Sequence, residues 1–327
     1  MALEPNGVRL RRLKGTALVC DNILAAMGNT PLVRLNRLVG PDMADVLAKC
    51  EMMNVGASIK TRTAYAMILG AEDRGEIGPD TVIVEPTSGN QGVGLALVAA
   101  VRGYRARIIM PDSVSEERRK LVRHYGAEVV VVHDEGNIGE CIERCIALAE
   151  QMAAEDPKVF VPQQFRNRDN LRAQREGTGA EIVAALGAGV DGFCCGIGTG
   201  GTISGIGSVL REANPDVEIW AVEPENAAIL SGGPVGSHIQ MGIGDGLIPD
   251  ILDTEIYSQT CVITDAEALE TARALAREEG LMVGISSGTN VAAALRLARK
   301  LGPGKTVVTL LPDTAERYFS TPLFDGE

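Results

Sequence analysis

The chain is short of positive charge: 31 Lys and Arg stand against 43 Asp and Glu, a formal net charge of −12. That balance argues against binding to nucleic acid or to an anionic membrane, both of which need a basic surface. Any apolar run approaching the roughly 18 residues that span a bilayer is also missing. So is the basic, apolar, small-residue order of a signal peptide at the N-terminus. A soluble cytoplasmic protein is expected. Only three histidines occur (His124, His133, His238), far apart in sequence, and the seven cysteines (Cys20, Cys50, Cys141, Cys145, Cys194, Cys195, Cys261) form no CxxC pair. No metal-ligand set is recognisable, and scattered cysteines in odd number read as buried small hydrophobes rather than disulfides. Cys141 and Cys145, four apart on an expected helix, would share one face.

What the chain does have is apolar substance, 45% of 327 residues, enough for two cores with a cleft between them. From residue 81 onward strand and helix patterns alternate. Apolar runs at 81–85, 105–110, 128–132, 159–163, 192–196, 218–223, 261–264 and 306–311 lack polar alternation, as strands buried on both faces of a parallel sheet do. Helical patterns lie between them at 92–101, 116–125, 138–154, 265–279 and 291–301, with Ser113 and Glu116 spaced as a capping box. The class is α/β. Pro157, Pro162 and the polar run after Phe165 mark the expected domain crossing, and residues 1–20 read as a loosely held extension.

Four segments carry candidate chemistry. In VIVEPTSGNQGVGLA (82–96) a strand ends at Glu85-Pro86 and small hydroxyl, amide and glycine residues open into a helix. The free N–H groups of a helix start suit a carboxylate or phosphate, although Ser88 or Asn90 can equally serve as a plain cap. In NVGASIKTR (54–62), Lys60 follows small and apolar residues. Burial lowers a lysine's pKa and yields the neutral amine that reacts with a carbonyl; the alternative is a snorkelling lysine at a helix start. FCCGIGTGGTISG (193–205) satisfies GxGxxG through Gly196, Gly198 and Gly201, with Glu223 ending the following strand. A nicotinamide-dependent dehydrogenase fits that spacing, while the tight Gly198–Thr202 cluster fits a single terminal phosphate. GISSGTN (284–290) again places serines at a helix start.

These segments, with NTPLVRL (29–35), HIQMGIGDGLIP (238–249) and ERYFST (316–321), resemble in the same order the cysteine synthase (O-acetylserine sulfhydrylase) and cystathionine β-synthase family over residues 21–327. The resemblance implies two open twisted-sheet α/β domains with the cofactor cleft between them, the tryptophan-synthase-β-like fold type II of pyridoxal 5′-phosphate enzymes. It implies an N-terminal domain over 21–165, mobile over about 108–152, and a C-terminal domain over 166–327. By the same resemblance Lys60 is the Schiff-base lysine, Gly198, Thr199, Gly200, Gly201 and Thr202 hold the cofactor phosphate, Ser286 meets the pyridine nitrogen and Asn90 the 3′-oxygen. Thr87, Ser88, Gly89, Gln91, Gln164 and Gly244 then surround the amino-acid substrate. The implied reaction is β-replacement on an activated L-serine through an α-aminoacrylate, with Lys60 moving the Cα proton. A homodimer and a serine acetyltransferase partner are implied as well.

Two departures bear on the reaction. The family's TSGNT is TSGNQ here, and the small residue of GIGAG is Asp245. Gln91 still donates hydrogen bonds but is larger. A confined Asp245 is a candidate general base for a thiol or water, or a repellent for an anionic nucleophile; it can also be an outward turn residue. The leading expectation is a cysteine synthase acting on O-acetyl-L-serine and sulfide. The alternatives are a hydrogen-sulfide-producing lyase in which Asp245 activates water, a cystathionine β-synthase, and a non-catalytic cofactor-binding sensor. Val55 and Thr61 also depart from the family's usual residues, with no reading beyond local packing.

Overall fold

The structure, a computed structural model, describes residues 11–12, 18–233 and 235–325. Twelve strands are present among them: β1 Arg11–Arg12, β2 Leu18–Val19, β3 Leu32–Arg34, β4 Asp45–Lys49, β5 Val82–Pro86, β6 Arg105–Pro111, β7 Glu128–Val132, β8 Val159–Phe160, β9 Gly192–Gly196, β10 Glu218–Pro224, β11 Gln259–Ile263 and β12 Thr306–Leu310. The helices are α1 Lys60–Asp73, α2 Asn90–Arg102, α3 Glu116–His124, α4 Ile138–Glu155, α5 Arg168–Ala173, α6 Ala180–Leu186, α7 Gly201–Ala213, α8 Asp265–Glu279 and α9 Ile285–Leu301, with a π turn over 174–179 joining α5 to α6. Of the expected extension, residues 1–10 and 13–17 lie outside the described residues; Arg11–Arg12 and Leu18–Val19 pair as a short antiparallel ribbon.

Two sheets organise the chain. The smaller runs β7-β6-β5-β8 and is parallel throughout. The larger runs β11-β10-β9-β12-β4-β3, parallel except for the antiparallel β3–β4 edge. Alternate residues of each strand enter opposite cores, as the two-residue period of a strand requires. On the small sheet Ile83 and Ile108 pack toward α1 and α2, while Val84 and Ile109 pack with Cys141 and Cys145 of α4. On the large sheet Phe193 and Ile219 face α7, and Cys194 and Trp220 face α8 and α9. Parallel strands covered by helices on both faces explain why the apolar runs show no polar alternation.

A single cut after residue 165 does not describe this topology. β3 and β4 come from the first 50 residues, yet β4 pairs with β12, Val46 opposite Val307. The small sheet therefore lies between two stretches of chain that build the large one. The expected capping box at Ser113 and Glu116 is also not formed: Ser115 is the N-cap of α3, and the Ser113 hydroxyl instead donates to Asp134 Oδ2 at 2.6 Å. Helix α1, which carries Lys60, is anchored by buried charge. Arg62 donates to Glu51 at 2.9 Å and Glu181 at 2.7 Å, and Lys49 donates to Glu181 at 2.6 Å. Arg62 thus ties α1 to the turn after β4 and to α6, and Lys49 ties β4 to the same Glu181. All seven cysteines are free thiols, and six of them are buried.

Candidate functional site

Four helix starts converge on one cavity between the two sheets: α1 at Lys60, α2 at Asn90, α7 at Gly201 and α9 at Ile285. Each presents unpaired N–H groups and the positive end of its dipole, so the cavity is built for an anionic ligand. The sequence produces this locally because a parallel strand must turn sharply into its helix. β5 ends at Pro86, Thr87 Oγ1 accepts from the Gly89 N–H at 3.0 Å, and α2 begins at once. A Cβ on Gly89 would lie 2.6 Å from Arg118 Cδ.

The Gly198–Thr202 segment forms a second turn of the same kind, between β9 and α7. Gly200 has φ +77°, the left-handed region where a side chain is strained. A Cβ on Gly198 would sit 2.5 Å from the Gly242 carbonyl, a backbone atom that cannot swing away. The Thr199 hydroxyl accepts from Asn170 Nδ2 at 2.9 Å, which fixes the turn against α5. Gly198, Thr199, Gly200 and Thr202 all line the cavity. Glu223, the acid that a dinucleotide reading would give to a ribose, is turned to other work. It is buried and accepts from the Leu230 and Ser231 N–H groups and the Ser231 hydroxyl at 2.7–3.1 Å.

Lys60 enters the cavity from the first residue of α1. Burial lowers its pKa, opposed by the charges of Asp245 and Cys195. Asp245, only 8% exposed, is moved the other way: burial raises its pKa, opposed by Lys60, by a hydrogen bond from Ser88 and by His238. Burial therefore makes the Lys60 amine easier to deprotonate and the Asp245 carboxylate more basic, while the charge of each favours the charged form of the other. The Ser88 hydroxyl donates to Asp245 Oδ1 at 3.1 Å, so Asp245 faces inward and is not a solvent-facing turn residue.

Gln91 is the least satisfied side chain in the cavity wall. It is 1% exposed, and neither its Oε1 nor its Nε2 has a partner. A buried amide with no partner costs several hydrogen bonds' worth of desolvation, so a ligand group is the physical complement it lacks. Ser286, 4% exposed at the start of α9, lines the opposite side. Asn90 is held rigidly: Nδ2 donates to Asp313 Oδ2 at 2.6 Å, and Oδ1 accepts from Arg317. One Nδ2 hydrogen remains for a ligand. Gln164 donates its side chain to the Pro86 carbonyl at 3.0 Å, and its N–H, with that of Gln163, is received by the Glu85 carboxyl at 2.8 and 2.9 Å. Gln163 itself sits at φ +59°, so Glu85 is the clamp on a strained turn.

Of the residues singled out in the sequence, the cavity gathers Lys60, Thr87, Ser88, Gly89, Asn90, Gln91, Gln164, Gly198, Thr199, Gly200, Thr202, Asp245 and Ser286, while Gly201, at the start of α7, is not part of its lining. Gly244 stands apart, lining an adjoining chamber beyond Asp245. Sequence reasoning missed Cys195, which lines the cavity, and the buried group behind Asn90. In that group Asp313 also accepts from Tyr318 Oη at 2.8 Å and lies 3.6 Å from Arg118, whose guanidinium stacks over the Tyr318 ring. The run ERYFST contains Arg317 and Tyr318, so a signal existed without an assigned purpose.

The donor set fits pyridoxal phosphate: one cavity holds a buried amine at Lys60, a glycine-walled helix start that suits a phosphate, and a neutral hydroxyl at Ser286. A model of the pyridoxal-phosphate-dependent enzyme family matches residues 23–313. The chain is 46% identical to a cysteine synthase of Staphylococcus aureus over 305 residues, 93% of this chain and 97% of the relative. Among solved structures it is similar to the cysteine synthase of Entamoeba histolytica (TM-score 0.89, 34% identity, 98% and 95% of the two chains). It is also similar to a hydrogen sulfide-producing enzyme of Fusobacterium nucleatum (TM-score 0.87, 38% identity, 92% and 100%).

Proposed function

The chain belongs to the pyridoxal-phosphate-dependent enzymes, and from that premise we propose that it is a cysteine synthase, converting O-acetyl-L-serine and sulfide to L-cysteine and acetate. The observation that carries the reading is the meeting of a buried Lys60 amine with an unpartnered, buried Gln91 at the start of α2. Amine and carboxylate receptor lie in one cavity, as an α-amino acid requires.

When bound, pyridoxal phosphate supplies the electron sink that lets the β-substituent leave. The chain supplies the rest. Gly198–Thr202 and the α7 start receive the phosphate, Ser286 the ring nitrogen and Asn90 the remaining ring oxygen. A hydroxyl at Ser286 shares its proton without adding charge, which favours elimination over a long-lived carbanion. Thr87, Ser88, Gly89 and Gln91 orient the substrate carboxylate on the α2 dipole, with the Gln164 turn behind them. Lys60, whose proton burial makes easier to lose, takes the Cα proton and later returns it. The incoming sulfide then bonds to the β-carbon that acetate has left.

A second reading rests on Asp245. An inward carboxyl with a raised pKa beside Lys60 is placed to take a proton from water, which would turn cysteine into serine with release of hydrogen sulfide. Product analysis of O-acetylserine plus sulfide against cysteine alone separates the two; absence of cysteine from the first mixture overturns the leading reading. Lys60→Ala should retain its circular dichroism and lose turnover by about 10²–10⁴-fold, the usual worth of a positioned base. The same reading carries a homodimer, a serine acetyltransferase partner and a cytoplasmic location, for which sedimentation and co-purification are the tests.

A further inference from the structure

Beyond the catalytic cavity lies a second chamber of about 110 Å³. The two share the walls Ser88, Asp245, Met241, Gly242 and Ile243, so the Ser88–Asp245 hydrogen bond stands as a partition between them. Its outer walls are Ser113 and Asp134 from the ends of β6 and β7, Ile138 at the start of α4, and Ser237 and His238 from the facing loop. Ser113 and Ser237 are exposed while Asp245 is buried, so the chamber runs from a polar mouth to the catalytic partition. Ser237 Oγ donates to the Gly136 carbonyl at 3.0 Å, joining the two sides of the mouth.

The charge of this lining is one-sided. It contains two carboxyls, Asp134 and Asp245, and no lysine or arginine. The His238 ring is fixed across the lining: Nδ1 accepts from the Gln240 N–H at 3.1 Å, and Nε2 lies 3.0 Å from the Gly244 carbonyl. Asp134 is held as an acceptor by Ser113 and by the Gly136 N–H at 2.9 Å. An anion entering this chamber meets two carboxyls, and a carboxylate-bearing thiol finds no lysine or arginine in the lining to receive it.

We infer that this chamber is the nucleophile's binding subsite, and that it selects small uncharged or cationic nucleophiles over anionic ones. The inference rests on the β-replacement reading above. A thiol passing this way arrives protonated at Asp245. Its S–H bond breaks as the sulfur pair bonds to the substrate β-carbon, and the proton passes to the Asp245 carboxylate. A chamber of about 110 Å³ suits a small occupant such as hydrogen sulfide, water or a short aminothiol.

The test uses the cofactor-loaded enzyme with O-acetylserine and three short thiols, cysteamine, 2-mercaptoethanol and mercaptoacetate, at low salt. The expected kcat/KM for cysteamine exceeds that for mercaptoacetate by at least tenfold. Thiol acidity differs among the probes, so the decisive quantity is how this ratio changes in a variant. Asp134→Asn should shrink it at least threefold, and Ser237→Asp, at the exposed mouth, should enlarge it. A ratio that neither variant moves, or use of neither thiol while acetate is released normally, overturns the chamber and leaves β-replacement standing. Absence of acetate release from the wild-type enzyme overturns both.

Discussion

Replacing Glu85 by Gln should change how the stability of this protein depends on pH. Glu85 is fully buried at the end of β5, and burial pushes its pKa from 4.5 up to about 8 against the two N–H donors of Gln163 and Gln164. Folding thus raises this carboxyl's pKa, so as pH rises the unfolded chain releases the proton first. The contribution is fully present below about pH 4.5, drains away between 4.5 and about 8, and does not change above that. At about 1.4 kcal/mol per pH unit, the separation amounts to on the order of 5 kcal/mol. Glu85→Gln removes the titration but offers one acceptor oxygen to two N–H donors, a loss of about 1–3 kcal/mol. The wild type should therefore be the more stable form near pH 5 and the less stable form near pH 9. Urea unfolding of both proteins across that range, with saturating pyridoxal phosphate, reads the difference directly. Two curves that stay parallel to within about 0.5 kcal/mol would refute the account of Glu85 as a buried, late-titrating clamp.

Gly198→Ala places a Cβ against the Gly242 carbonyl at 2.5 Å, so the turn must shift: cofactor affinity measured by dialysis and absorbance should fall at least tenfold, and the melting temperature without cofactor should fall as well. Asp313→Asn removes the anion that Asn90, Tyr318 and Arg118 share. It leaves Arg118, 1% exposed, without its counter-charge, and thermal unfolding should show a loss of about 3–5 kcal/mol. An unchanged melting curve would mean that Arg118 is balanced elsewhere.

The strands of both sheets were legible because burial on two faces leaves a continuous apolar run. The β3–β4 edge was not: LVR and DVLAK are short and half polar, since Arg34 and Asp45 lie at the rim, where they pair with each other. Helix α1 was read only as a start at Lys60. Its polar residues Thr61, Arg62 and Thr63 are buried, so the usual amphipathic stripe is replaced by ion pairs with distant Glu51 and Glu181. The catalytic cavity was legible because its parts are backbone turns with fixed chemistry. The Asp313–Arg118–Tyr318 group was not, since it exists only where three distant segments meet. Ser113 misled for the same reason: its local spacing promised a cap, and a tertiary partner, Asp134, took the hydroxyl.

The pairing of Val46 with Val307 also sets an order of assembly during synthesis. The small sheet uses strands between residues 82 and 160, all of which leave the ribosome well before β12 exists. At about 5–20 residues per second, β4 waits roughly 13–50 s for the strand it pairs with. Over that interval the nascent chain carries an apolar edge, Val46 and Ala48 included, with its neighbour not yet made. Until β12 emerges that edge is open to wrong pairing and aggregation.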